Sequence, residues 1–146
     1  MNFLKFFLLF GAIFASCEAF CCRSKLSWKR WNKNDLTYRI LNYPSQYRKE
    51  YTDFIFQRAF ELYNQNAGIT FKAKKIGHVD ITIRFDRLSE HAIFRMKDAI
   101  SFSFPPGPHE YSGDIIFNDD VVWTTDGGRY DLFKRMIYEI GNAVGL

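Results

Sequence analysis

A chain of 146 residues that is 47% hydrophobic and 18% aromatic has the apolar mass for one domain with a true core, and too much phenylalanine and tyrosine for a disordered polypeptide. Its formal net charge of +4 is only mildly basic, so no nucleic-acid partner is expected. The basic clusters, Lys72-Ala-Lys74-Lys75 and residues 25–33, read as solvated strand-end and loop faces in preference to a polyanion site, with a weak affinity for sulfated glycans compatible with them.

Met1-Asn-Phe-Leu-Lys5 supplies a positive start, residues 6–15 an apolar run, and Cys17-Glu18-Ala19 a small-x-small site. Together they predict a secretory signal peptide over residues 1–19, cleaved after Ala19. The apolar run is too short for a comfortable membrane span, so no stable membrane anchor is expected and the product is placed in the extracellular space or matrix. Cleavage leaves Cys21 and Cys22 in a short N-terminal segment, residues 20–27, ahead of one domain over residues 28–146. Adjacent cysteines bridge each other only with strain, so pairing between chains, or a longer signal peptide, is the expectation.

Leu36-Thr-Tyr38-Arg-Ile40-Leu alternates and is rich in strand formers, ending at Asn42-Tyr43-Pro44. From Pro44 or Ser45 the period changes to that of a helix, with Tyr51, Ile55, Ala59 and Leu62 as the stripe and Phe56, Phe60 and Tyr63 widening it. Asn66 to Gly68 ends that helix, and Ile69-Thr-Phe-Lys-Ala is a second strand. Val79, Ile81, Ile83 and Phe85 share one face of a third strand, leaving Asp80, Thr82 and Arg84 on the other. Strand, long helix and strand predict a right-handed parallel crossover. Residues 86–98 read as irregular, 99–104 and 114–117 as two short strands divided by Pro105-Pro-Gly-Pro108, and the final helix runs from Tyr130 or Asp131 to the end.

That last stretch, Asp131-Leu-Phe-Lys-Arg-Met-Ile-Tyr138-Glu139-Ile-Gly141-Asn142-Ala-Val-Gly145-Leu146, resembles the active-site helix of the matrixins, the catalytic domains of matrix metalloproteinases. The family run reads close to N-L-F-x-V-A-A-H-E-I-G-H-A-L-G-L. Further motifs resemble the family's in the same order. They are Trp31 with Leu36-Thr-Tyr-Arg-Ile40 (W-x-x-x-x-L-T-Y-R-I), Ala59-Phe60 with Tyr63 (A-F-x-x-W), and Ile69-Thr-Phe71 (L-x-F). Asp80-Ile81-x-Ile83-x-Phe85 (D-I-x-I-x-F), Ser101-Phe102-Ser103-Phe104 with Pro106-Gly107 (A-H-A-F-x-P-G) and Gly113-Asp114-Ile-Ile116-Phe117-Asn118 (G-D-x-H-F-D) complete the set.

The resemblance implies an α+β, zincin-like fold: a twisted mixed sheet of about five strands, a long first helix and a C-terminal active-site-type helix, with the family's third helix absent. It also implies where metals would bind, and at those positions this chain departs from the pattern. In H-E-x-x-H two histidines one turn apart hold zinc and the glutamate acts as general base. Here the frame is Tyr138-Glu139-x-x-Asn142, and the third ligand position falls at 148. A phenol loses its proton only near about pH 10 and a carboxamide is a weak oxygen donor, so no catalytic zinc is expected. Glu139 is then a vestigial general base, solvated or paired with Arg135 one turn back.

The structural-zinc histidines of the family correspond to Phe102 and Ile116, neither of which binds metal, and His91 is the one remaining candidate from that site. As a lone histidine it reads more readily as a loop residue, and His78 and His109 are weaker candidates still. Asp119 and Asp120 could bind calcium weakly, though a solvated turn is the favoured account. Gly141 and Gly145 permit close approach at the end of the helix, whose buried side is Leu132, Phe133, Met136, Ile137, Ile140, Ala143 and Val144. No cofactor is expected, zinc and calcium being those of the family.

The expectation is a secreted matrix-metalloproteinase-like protein without catalytic activity, whose partners would be extracellular matrix proteins, metalloproteinase inhibitors or an active homologue. The alternatives are a zinc-dependent metalloendopeptidase acting on extracellular matrix proteins, with Glu139 as its base, and a truncated product of a longer metalloproteinase gene.

Overall fold

The computed structural model describes residues 30–87 and 99–146. Residues 1–19, expected to be a signal peptide, and Cys21, Cys22 and His91 lie outside the described residues. Five strands and two helices follow one another as β1 (Asp35–Ile40), α1 (Lys49–Asn66), β2 (Thr70–Ala73), β3 (Ile81–Asp86), β4 (Ser101–Ser103), β5 (Ile115–Asn118) and α2 (Leu132–Val144). One mixed sheet runs in the order β2-β1-β3-β5-β4. The pairs β1–β2, β1–β3 and β3–β5 are parallel, and β4 closes the far edge antiparallel to β5. The sheet is therefore the mixed one expected, with β1 and β2 adjacent and parallel around α1.

Alternation decides which face is core. Leu36, Ile81, Ile83, Phe85, Ile115 and Phe117 are buried against the helices, whereas Arg39, Thr82 and Arg84 on the opposite face are not fully covered. α1 lays Thr52, Ile55, Phe56, Ala59, Phe60 and Tyr63 on that core. Its apolar stripe is rotated from the expected one, since Tyr51 and Leu62 are exposed. Two groups of rings result. Phe60 stacks on Tyr38 and lies against Phe71, while Phe56, Phe85 and Phe117 stack with ring centroids 5.1 to 6.1 Å apart and Trp123 edge-on to Phe117.

α1 begins at Lys49, not at Pro44 or Ser45. The residues before it are engaged elsewhere: the Ser45 N–H donates to Asp119 Oδ1 at 2.9 Å and the Tyr47 hydroxyl to the Trp123 carbonyl at 2.8 Å. These bonds hold the chain against the turn after β5, and Arg48 enters the helix in an extended conformation with no side-chain cap. Asp119 thus serves as an acceptor for the 45–47 segment and is not simply part of a solvated turn.

α2 is better delimited. One oxygen of Asp131 accepts the Lys134 N–H at 2.8 Å and the other the Gly127 N–H at 2.8 Å, so a single carboxylate caps the helix and fixes the turn before it. Gly145 ends the helix at φ 82°, with its N–H and that of Leu146 returning to the last turn. Asp131 and Gly145 are thus the two caps, one residue outside the helix at each end.

Several retained motif residues are joints between elements. Asp80 Oδ2 accepts both the backbone N–H and the hydroxyl of Thr37 at 2.8 Å, and its other oxygen pairs with Lys33 Nζ at 2.7 Å. Asp114 accepts the Thr82 hydroxyl at 2.6 Å. The Trp31 indole donates to the Ala143 carbonyl at 2.9 Å, tying the start of the domain to the end of α2. Gly113 lies between these parts: at φ 83° an added Cβ would stand 2.7 Å from the Asp80 carbonyl and 2.9 Å from the Trp31 ring.

Candidate functional site

α2 and the edge strand β4 meet around Glu139. The helix presents Arg135 and Glu139 one turn apart, and β4 turns Ser101 and Ser103 toward them because residues two apart in a strand share a face. Ser101 Oγ donates to Glu139 Oε1 at 2.5 Å, and Ser103 Oγ donates to Glu139 Oε2. Arg135 Nη2 lies 2.9 Å from Glu139 Oε1, and Arg135 Nε donates to Ser101 Oγ. Glu139 is 1% exposed. Both carboxylate oxygens are engaged, one by a hydroxyl and a guanidinium and the other by a hydroxyl.

Of the two expected environments for Glu139, pairing with Arg135 is the one found and solvation is not. Spacing alone had pointed to Arg135. Ser101 and Ser103 went unrecognised as partners, although they occupy the two alanine places of the A-H-A-F pattern. A pair of hydroxyls replacing two methyls on one face of a strand was the available signal.

The other frame positions point elsewhere. Tyr138 is half-buried, with the Arg135 guanidinium carbon 4.7 Å from its ring centroid. Asn142 is half-buried on the same helix. Phe102 and Ile116 are direct cross-strand partners, Ile116 fully buried and Phe102 38% exposed. Phe102 packs edge-on to Phe104, which in turn meets Tyr111, and His109 stacks on Tyr111 at 5.3 Å. The places that correspond to structural-zinc ligands therefore form an apolar cross-strand pair that opens onto an aromatic row.

His78 and His109 both line a cavity of about 490 Å³ beside the sheet, with Trp31, Arg39, Asp80 and Asp114. It is lined by none of Ser101, Ser103, Arg135 or Glu139. Among the described residues no group of three or more histidine, cysteine, aspartate or glutamate side chains is placed to hold a metal ion.

A mixed five-stranded sheet with both helices packed on one face, and a helical glutamate facing the antiparallel edge strand, is the α+β, zincin-like arrangement that the motifs imply. The matrixin family model matches residues 30–146, and the chain belongs to that family. It is 34% identical over 121 residues to stromelysin-2 of Rattus norvegicus, across 80% of this chain and 25% of that protein. Macrophage metalloelastase of Rattus norvegicus is also 34% identical over 121 residues, across 80% of this chain and 26% of the relative. The chain thus spans about a quarter of the length of these curated relatives.

Proposed function

We propose that this matrixin-family protein does not hydrolyse peptides and acts, once secreted, by binding, with matrix proteins, metalloproteinase inhibitors or an active homologue as its partners. The observation that carries the reading is the engagement of Glu139. A general base must reach the water it activates, within about 3 Å of its oxygen. At Glu139 that position is filled on both oxygens by Ser101, Ser103 and Arg135, and the side chain is closed to solvent.

The donor chemistry agrees. A phenol and a carboxamide at positions 138 and 142 are a poor set for zinc, which favours imidazole and thiolate. The Arg135 cation over the Tyr138 ring would also repel a divalent ion placed beside that ring. The residues present do not fit the catalytic metal of the family. Secretion rests on the apolar N-terminal run; no helix among the described residues is long and apolar enough to cross a membrane.

The test combines metal content, by mass spectrometry of the purified protein, with turnover of a generic matrixin peptide. Metal well below one zinc per chain and no turnover are expected. Stoichiometric zinc together with chelator-sensitive cleavage that Glu139→Ala abolishes would establish the enzyme instead.

A further inference from the structure

We propose that the edge strand β2 and the turn that follows it form a docking surface for a sulfated glycan chain. Residues 62–79 contain three lysines and one histidine and no carboxylate. β2 is the outermost strand at its end of the sheet, and every residue from Lys72 to His78 is exposed. Sequence alone favours a solvated face here, because flexible lysines lose entropy when they are ordered on a ligand. The structure changes that balance by bracing the backbone that carries them.

Arg39, on the neighbouring strand, donates from Nε to the Lys74 carbonyl at 3.0 Å and from Nη2 to the Gly77 carbonyl at 2.5 Å. The Lys74 N–H continues onto the Tyr38 carbonyl at 2.9 Å, and Lys74 Nζ closes the turn on the His78 carbonyl at 3.0 Å. Gly77 supplies the φ of 75° that the turn requires. All of these acceptors are neutral carbonyls, so among the described residues neither Arg39 nor Lys74 is tied up in an ion pair, and each keeps free donors. The side chains of Lys72 and Lys75 make no hydrogen bond or ion pair among the described residues.

Lys72, Lys74 and Lys75 therefore stand on a held backbone beside Arg39 of β1, with alternate strand positions about 7 Å apart. Among the described residues the acidic neighbours are four, the exposed Glu110 among them, on the cavity that Arg39, Gly77 and His78 also line. Asp80 is taken by Lys33 and Thr37, Asp114 by Thr82, and the exposed Asp35 lies opposite Thr70, at the start of β2.

The same surface argues against other polyanions. Polynucleotide sites interleave aromatic faces with cations, and the one aromatic ring of residues 64–79, Phe71, is buried in the core. A lipid surface needs more apolar anchorage than the single exposed Ile76 provides. A linear chain of sulfates and carboxylates needs only a row of fixed cations, and that is what the edge offers. The proposal is independent of whether Glu139 is catalytic.

The test titrates the full chain with a heparin-derived hexasaccharide by calorimetry, at several salt concentrations. Lys72→Ser/Lys75→Ser should weaken binding at least about tenfold near 0.1 M salt and lower the salt slope by between about one and two, with unfolding unchanged. Arg129→Ser/Lys134→Ser, which removes the same charge at the start of α2, should leave affinity within about twofold. The proposal is overturned if the hexasaccharide does not bind, if both double variants lose equally, or if the desulfated hexasaccharide binds as well. Tighter binding to a single-stranded oligonucleotide, or to vesicles containing phosphatidylserine, would overturn it as well.

Discussion

Three carboxylates among the described residues are buried, Asp80, Asp131 and Glu139, and two of them, Glu139 and Asp80, are held by side chains of another part of the fold. Glu139 pins β4 to α2 through Ser101, Ser103 and Arg135. Removing one partner of such a group leaves the others unpaired, so Glu139→Ala should lower unfolding free energy by about 3 kcal/mol, read from urea denaturation. An unchanged midpoint would mean that the carboxylate is solvated after all. Asp80 is the second case. Burial acts to raise its pKa, but the bonds from Lys33 and Thr37 outweigh burial and hold it below the usual carboxylate value. A depressed folded pKa contributes stability above the unfolded value of about 3.9 and loses it as pH falls through the folded one. Asp80→Asn should therefore be less stable than the parent at pH 7, by about 2 kcal/mol, with the gap closing in acid as the pH falls through the lowered folded value. Denaturation at pH 7 and in acid measures it, and a gap that persists in acid would assign the loss to packing. Arg135 was legible as a partner of Glu139 because helical spacing is local. Ser101 and Ser103, 38 and 36 residues away, became partners only when the sheet set the distance between β4 and α2.

At the scale of elements, α1 and α2 touch where Gly141 faces Tyr63. The Tyr63 hydroxyl donates to the Ile137 carbonyl at 2.6 Å, and an added Cβ at Gly141 would stand 3.0 Å from that hydroxyl. Burial raises the pKa of this phenol well above its ordinary value, so it remains a neutral donor through the physiological range. Gly141→Ala should cost about 1 to 2 kcal/mol by pushing the hydroxyl off its acceptor, and Tyr63→Phe in the same background should then cost little more. Unfolding of the two single variants and the double variant gives the coupling; additive losses would show that the glycine serves the helix alone. Strand positions were legible from alternation, as the buried faces of β1 and β3 show. The start of α1 was not, because Ser45, an ordinary cap residue, is drawn to Asp119 across 74 residues of sequence.

The whole molecule joins a matrixin fold to a site whose polar groups bond to one another. On the proposed reading, zinc at a concentration a hundredfold above the dissociation constant of a real site would find nothing to stabilise, whereas a true ligand at that excess would add about 2.7 kcal/mol and raise the melting temperature by several degrees. Thermal unfolding with excess zinc and with chelator should coincide, and a zinc-dependent rise would count against the reading. The sequence by itself determined the family, the order of the elements, the core faces of the strands and the residue types at the places of the metal ligands. Each is carried by local periodicity or by short motifs. Only the tertiary structure decided what became of Glu139 and of the lysines of β2. Whether a carboxylate meets water, metal or two hydroxyls, and whether a cation stands on a loose or a braced backbone, depends on atoms that are distant in the chain and adjacent only after the sheet has formed.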